Sequence, residues 1–259
     1  MRKHCWREPP DESSEIDVRC TGRASRRAGT TLMRIVSLVP SLTETLSTWD
    51  RTPIACTRFC ERGDLAHVGG TKDPQITAIT ALQPDLIVMD AEENRREDHD
   101  ELVALGLEVH VVHIRALGDV NPAMRVLSER VDGKWRPLIL ETAVPMRVRA
   151  FVPIWRRPWM ALGQPTYGSS LLEHLGVATE FAERGPYPMV DLDEAARRHP
   201  DVVLAPSEPY PFSRRQLGEL ESVAPAIFLD GKDLFWWGVR TEGALTRLAD
   251  ALSTIRSSS

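Results

Sequence analysis

Twice in this chain a helical stretch closes, the pair Pro-Asp follows, and a short aliphatic run begins: Pro84-Asp85 before Leu86-Ile87-Val88-Met89, and Pro200-Asp201 before Val202-Val203-Leu204-Ala205. Proline bars the residue before it from the α region, and four consecutive aliphatic residues between turn signals read as a strand buried on both faces. In each half a charged helical stretch comes next, Asn94 to Leu105 or Arg214 to Glu221. A second short apolar strand then follows, Val109-His110-Val111-Val112 or Ala226-Ile227-Phe228-Leu229. A strand buried on both faces needs helices on both sides of its sheet, so each half predicts a parallel, doubly wound sheet. One Pro-Asp before a strand is commonplace. Two in register predict two lobes built to one plan.

The remaining segments fit that plan. In the first half Ile35-Val36-Ser37-Leu38-Val39 is a buried-type strand ended by Pro40, Ser41 or Thr43 can cap a helix through Trp49, Ile54-Ala55-Cys56 is a short strand, and Pro74 to Leu82 is a helix. In the second, Val148 to Ile154 is a strand, Tyr167 to Leu175 and Leu192 to Arg198 are helices, and an amphipathic helix from Arg240 to Ile255 buries Leu245, Leu248, Ala249 and Leu252. Between the halves, Asn121-Pro122 is a helix start and Met124, Val126, Leu127 and Val131 form its apolar face. Asp132-Gly133 stops it, and Lys134 to Ala143 reads as a second helical piece entering at Pro137. The expected fold class is α/β, two Rossmann-like lobes joined by a helical bridge, divided as 1-33 (extension), 34-117 (first lobe), 118-146 (bridge) and 147-259 (second lobe). The competing reading makes the middle an ordinary crossover helix within one larger sheet.

With 259 residues, 42% of them hydrophobic and 27% charged, the chain can bury one large core or two modest ones. A net charge of -5 gives no electrostatic reason to expect nucleic acid. No apolar run reaches the ~20 residues that span a bilayer. The first thirty-odd residues scatter charges among Ser, Pro, Gly and Thr without apolar periodicity, so they are expected to be disordered. They lack the apolar stretch of a signal peptide, which predicts a cytoplasmic chain, or a periplasmic or extracellular one if a leader precedes this sequence. Two cysteines, Cys56 and Cys60, are too few for a closed zinc site, and the spacing of His67, His99, His110 and His113 matches no ligand pattern. No metal site is expected. Cys56 and Cys60 read as a buried small residue and a partly exposed thiol, and His110 and His113 as structural.

In open parallel sheets ligands sit beyond the carboxyl ends of the strands, and the distinctive residues of this sequence collect there. They are Ser41 after the first strand, Arg58 and Phe59 after the second, Lys72 nearby, and Asn94 and Arg95 after the third. In the second half they are Trp155 and Trp159, then Glu208 and Tyr210, then Trp236, Trp237 and Arg240. Four of the seven tryptophans stand in these loops. Aromatic rings on short loops suit a ligand with a broad flat face, or they seal an interface between lobes. Arg58, Lys72, Arg156, Arg157 and Arg240 would line both walls with donors, which predicts an anionic ligand. Arg240 is expected to touch the ligand directly or to orient Trp237, or else to pair with Glu208.

Arg34-Ile35-Val36-Ser37-Leu38-Val39-Pro40-Ser41-Leu42-Thr43-Glu44 resembles the opening of the class III periplasmic binding proteins, the helical-backbone receptors for cobalamin, haem and iron-siderophores. Val68-Gly69-Gly70-Thr71-Lys72-Asp73-Pro74, Pro84 to Val88, and Glu208 to Phe212 with Asp230-Gly231 to Arg240 resemble that family too, in the same order. The resemblance implies a ligand held in the cleft between two lobes: a corrinoid, haem or ferric siderophore. It also implies a monomer and an ABC-transporter permease as partner. Typical members carry a secretion signal or lipoprotein cysteine and a longer backbone helix, so the likeness is to a signal-less branch related to the cobalamin receptors.

The competing function is an α/β enzyme, a transferase or metal-cofactor oxidoreductase, with its active site in the same cleft. The first strand leads into Pro40-Ser41-Leu42-Thr43 rather than a glycine-rich fingerprint, and there is no P-loop, nucleophile elbow or paired-histidine motif. Glu208 beside Tyr210 is the one candidate acid/base pair, and no catalytic residue is assigned.

Overall fold

The computed structural model describes residues 33–256; the expectations for the first thirty-two residues lie outside them. The first lobe runs β1 (Ile35–Ser37), α1 (Pro40–Thr48), β2 (Ala55–Cys56), β3 (Ala66–His67), α2 (Ile76–Ala81), β4 (Leu86–Asp90), α3 (Arg96–Ala104) and β5 (Val109–Val112). A turn of 3-10 helix leads into α4 (Val120–Val131). The second lobe runs β6 (Val148–Phe151), β7 (Pro153–Trp155), β8 (Met160–Ala161), α5 (Tyr167–His174), β9 (Val177–Thr179), α6 (Leu192–Arg197), β10 (Val202–Pro206), α7 (Leu217–Glu221), β11 (Ala226–Leu229), α8 (Gly231–Phe235) and α9 (Thr241–Arg256).

The first sheet is parallel in the order β3-β2-β1-β4-β5, and the second is parallel in the order β11-β10-β6-β9. The central strand β1 thus corresponds to β6, β2 to β9, β4 to β10 and β5 to β11. The repeated Pro-Asp has one structural job in both. The Asp85 N–H donates to the Arg34 carbonyl at 2.8 Å, and its carboxylate accepts the Arg34 N–H at 2.8 Å. Asp201 repeats the pattern with Arg149, at 2.8 and 2.7 Å. Each aspartate ties the start of one strand to the start of its neighbour, and this fixes the register of the central pair.

Alternation along the strands explains the layers. Val36, Leu38, Ile87 and Met89 face the outer core of the first lobe, and Phe151, Val203 and Ala205 face that of the second. Their neighbours Ile35, Val39, Leu86, Val88, Val148, Ala150, Val202 and Leu204 belong to one continuous core that also takes Leu42 and Leu46 of α1, Met124 and Leu127 of α4, Leu171 and Leu172 of α5 and Leu248 and Leu252 of α9. The two sheets therefore share a core, which a pair of independently folded lobes would not.

The bridge is only half helical. Helix α4 starts a residue before the expected Asn121, with Asp119 at its N-cap position, and ends where Asp132 takes the left-handed conformation at φ 52°. Asn121 does not cap it. Its amide clasps Leu138 instead, accepting the Leu138 N–H at 2.7 Å and donating to the Leu138 carbonyl at 3.0 Å. That clasp, Pro137, and the N–H groups of Val144, Arg147 and Val148 bonded to the carbonyls of His174 and Gly176 hold the rest of the segment extended, so the expected second helical piece is absent. Similarly, neither Ser41 nor Thr43 caps α1. Val39 occupies the N-cap position, Pro40 fills the first helical position, and Thr43 Oγ1 donates to the Val39 carbonyl at 3.0 Å. No helix among the described residues is long and apolar enough to cross a membrane.

Candidate functional site

Between the lobes lies a small open cleft. Its first-lobe wall is the exit of β4 and the segment after β5, with Asp90, Glu92, Glu93, Ile114 and Arg115. The second lobe gives Leu162, the start of α5 at Thr166, Tyr167 and Gly168, then Tyr187, and Leu234, Phe235 and Trp237 around the end of α8. The sequence positions these groups locally. Thr166 caps α5, accepting the Ser169 N–H at 3.2 Å, and this turns the first residues of α5 toward the cleft. Gly168 lets α5 approach α8, since a Cβ there would lie 2.8 Å from the Leu234 carbonyl. The Tyr167 hydroxyl meets Thr241 Oγ1 at 3.0 Å, and burial pushes its phenol up from the usual range.

Asp90 is the unusual member. It ends a wholly buried strand and is 1% exposed. Its Oδ1 accepts the N–H groups of Glu92 and Glu93, each at 2.9 Å, while Oδ2 has no hydrogen-bond partner. Burial, with the charge of Glu93 added, pushes this carboxyl up to about 8. Asn94 fixes the loop around it, taking the Asp90 N–H on Oδ1 at 2.9 Å and donating to the carbonyls of Leu38 and Thr71 at 3.1 and 3.0 Å.

The thirteen residues singled out from the sequence do not gather in one place. Of them, Trp237 alone lines the cleft. Ser41 and Asn94 are buried in the fabric of the first lobe. Arg58 pairs with Asp73 at 2.9 Å and covers the ring of exposed Phe59, Lys72 donates to the Glu92 carbonyl at 2.9 Å, and Arg95 grips Asp98 at 2.9 and 2.6 Å. Trp155 meets Tyr210 edge-on at 5.7 Å, and Trp159 stacks on Phe212 at 5.8 Å. Trp159, Tyr210 and Phe212 pack onto the outer core of the second lobe. Arg156 pairs with Glu219 at 2.8 and 2.7 Å.

Arg240 closes the lobe seam and does not meet Glu208. It binds Glu44 of α1 through two nitrogens at 3.0 and 2.8 Å and reaches Asp233 at 3.3 Å. Its guanidinium lies 5.5 Å from the ring centroid of Trp236, so the ring it orients is Trp236 rather than Trp237. Burial raises the Asp233 carboxyl, but bonds from Arg247 and Arg240 outweigh it and bring it below the ordinary value. Glu208 is pushed up by burial, against the opposing influence of Trp236 and Lys232. Lys232 in turn pairs with Glu61 across the seam. Of the five cations expected to furnish donors, Arg58, Lys72, Arg156 and Arg240 are thus engaged by protein groups and Arg157 is exposed, while acids outnumber bases in the cleft itself.

Sequence reasoning did not reach Asp90, Arg115, Thr166, Tyr167 and Tyr187. Asp90 carries a signal, a carboxylate closing an otherwise aliphatic strand; the others carry none above their surroundings. Cys60, expected to be partly exposed, is buried with Cys56, its thiol 3.2 Å from Thr43 Oγ1 and 3.3 Å from Thr57 Oγ1. Burial, with Cys60 next, pushes the Cys56 thiol up to about 12. Among the described residues no group of three or more His, Cys, Asp or Glu is arranged to hold a metal ion.

Two parallel sheets with a cleft at their carboxyl ends define a two-lobed binding-protein fold. Solved structures carry the same fold: the periplasmic vitamin B12 binding protein BtuF of Vibrio cholerae (TM-score 0.69, 20% identity, 86% of this chain and 98% of that one) and the periplasmic heme-binding protein BhuT in complex with two hemes (TM-score 0.71, 18% identity, 86% and 98%). By sequence the chain is similar to the vitamin B12-binding protein of Salmonella typhi, 23% identical over 189 residues (66% of this chain, 71% of the relative), and to that of Pectobacterium carotovorum subsp. carotovorum, 22% identical over 230 residues (78% and 81%). No protein-family model matches it. The chain shares the fold of the periplasmic binding proteins that its motifs resemble. All four of these proteins are named for binding rather than for catalysis. The expected cytoplasmic location finds no support here, since the matched structures are described as periplasmic.

Proposed function

We propose that this chain is a substrate-binding receptor for a metal-chelate ligand with a broad ring, of the corrinoid or haem kind, held between its lobes without covalent chemistry. The observation that carries the reading is the cleft at the carboxyl ends of both sheets, where Trp237, Phe235, Tyr167 and Tyr187 stand opposite the polar groups Asp90, Glu92, Glu93 and Arg115. Rings of this kind offer flat contact area, and a few polar groups orient what lies against them. The names of the sequence relatives favour a corrinoid and those of the structural neighbours a haem; a ferric siderophore is the third candidate. The units of the receptor are the lobes 34-117 and 147-259 and the bridge 118-146. It works as a monomer on the periplasmic or extracellular side and delivers its ligand to an ABC-transporter permease.

Titration of the purified chain with cyanocobalamin, haemin and a ferric siderophore, followed by the visible band of the ligand and by tryptophan fluorescence, tests the reading. A bound ring should quench Trp237, and Trp237→Ala should weaken binding by about 1 to 3 kcal/mol. Absence of a saturable response to all three would overturn it.

A further inference from the structure

Cys56 closes β2, and Cys60 lies at the far end of the turn that follows it. The Cys60 N–H donates to the Thr57 carbonyl at 3.1 Å. The Arg58 N–H bonds to the Gly69 carbonyl at 2.8 Å and the Cys56 carbonyl takes the Val68 N–H at 2.9 Å, so the turn is pinned to the segment that follows β3. A turn of this kind brings its ends within about 7 Å of each other. It folds Cys60 back toward the strand end, where its sulfur sits 3.3 Å from Thr57 Oγ1, next in sequence to Cys56, and 3.2 Å from Thr43 Oγ1 of α1. Both cysteines are buried, and their thiols share a hydrogen bond. A disulfide joins residues whose Cα atoms lie about 4.4 to 6.8 Å apart. A chain folded back through one turn supplies that separation, and thiols already in contact need only side-chain rotation to bond. We propose that Cys56 and Cys60 are a modification site, a dithiol that closes to a disulfide and staples the loop after β2.

The co-reactant is an external disulfide, of the oxidised-glutathione kind or carried by a protein. Cys60, 6% exposed against 0% for Cys56, is the thiol that meets it. The Cys60 thiolate attacks one sulfur of the external disulfide, forming a mixed disulfide and releasing the other half as a thiolate. Cys56 then gives up its proton, attacks the Cys60 sulfur and expels the second half. The two cysteines lose two protons and two electrons, and the external disulfide is reduced to two thiols. Burial holds the Cys56 thiol protonated, so the second step is the slow one. The compartment decides which form is populated, closed in an oxidising one and open in a reducing one. What closure does follows from the neighbouring residues. Glu61 pairs with Lys232 of α8 across the lobe seam, and Arg58 pairs with Asp73. A staple at Cys60 therefore fixes the loop from which the first lobe grips the second.

Trypsin supplies the test, because it cuts after Arg51, Arg58 and Arg62 and so separates the two cysteines. The full chain, folded, is incubated with oxidised glutathione until the reaction stops, then alkylated, digested without reduction and mapped by mass spectrometry. The peptides Thr52–Arg58 and Phe59–Arg62 should appear as one cross-linked species that dithiothreitol resolves into two. A full chain carrying Cys5→Ser and Cys20→Ser should give the same result, and its closed form should melt about 3 to 8 °C above its reduced form. Free Cys56 and Cys60 at the end of the reaction, glutathione retained on Cys60 alone, or pairing of either with Cys5 or Cys20 overturns the proposal. Equal melting midpoints of the closed and reduced forms overturn the staple. No ring ligand enters any of these measurements, so their failure leaves the receptor reading standing.

Discussion

Replacing Asp90 with asparagine should stabilise the protein at neutral pH and not at acid pH. The folded-state carboxyl titrates at about 8, against ~3.9 in an unfolded chain. A raised carboxyl means that the native state keeps a proton which the unfolded state releases. Stability from this group is therefore greatest below about pH 4 and falls steadily as pH rises toward 8. At pH 7 the two states differ over about three pH units, roughly 4 kcal/mol as an upper figure at ~1.4 kcal/mol per unit. The asparagine side chain would still offer an oxygen to the N–H groups of Glu92 and Glu93, but it would place an unpartnered NH2 where Oδ2 now lies, which costs about 1 to 3 kcal/mol. The net gain at pH 7 is then about 1 to 3 kcal/mol, turning into a loss near pH 4. Urea denaturation of both proteins across pH 4 to 8, followed by circular dichroism, measures the difference, and most other titrations cancel in the comparison. A stability difference that stays flat across that range would refute the reasoning, because it would mean that Asp90 ionises normally in the folded chain.

Arg240→Lys should lose about 1 to 2 kcal/mol of stability, since an ammonium cannot reproduce the two-nitrogen grip on Glu44. A double-mutant cycle with Glu44→Gln should show coupling, and additive losses would place the two groups apart. Gly238→Ala should cost about 2 kcal/mol or more, because φ is +103° there and a Cβ would lie 2.3 Å from Thr45 Oγ1; an unchanged thermal midpoint would count against this seam geometry. Asp85→Ala and Asp201→Ala should each cost about 1 kcal/mol, and by similar amounts, because each removes one carboxylate bond to the backbone of the neighbouring strand. A large inequality between them in chemical denaturation would deny that the two aspartates do the same work.

The fold is legible because its signals are local. Aliphatic runs, Pro-Asp pairs and charged helices report their own secondary structure, and their recurrence reports the duplication. Strands β3 and β9 escape a reading of the sequence because each is only two or three residues long. The bridge misleads for a different reason: Asn121 is a good helix cap by type, yet its amide is better used seventeen residues away, on Leu138, and nothing near Asn121 announces that partner. The site is legible only in location. Its loops follow from strand order, but which side chain turns inward depends on packing. Trp155 and Trp159 are drawn to Tyr210 and Phe212 on the far face of the second sheet, while Tyr167 reaches the cleft from the first turn of α5, a position that sequence treats as ordinary helix.

The shared core bears on how a ligand is taken up. Met124 and Leu127 of α4, Leu42 and Leu46 of α1 and Leu248 of α9 are buried between the lobes as completely as any residue within them. Swinging one lobe away from the other would expose several such side chains at about 1.5 to 3 kcal/mol each. It would also break the Arg240–Glu44 and Lys232–Glu61 pairs and the bond from Leu117 N–H to Ser170 Oγ. A wide opening of that kind would need more energy than a typical domain has in reserve. The cleft is therefore largely preformed, and binding proceeds by adjustment of side chains and exit loops rather than by closure of the lobes.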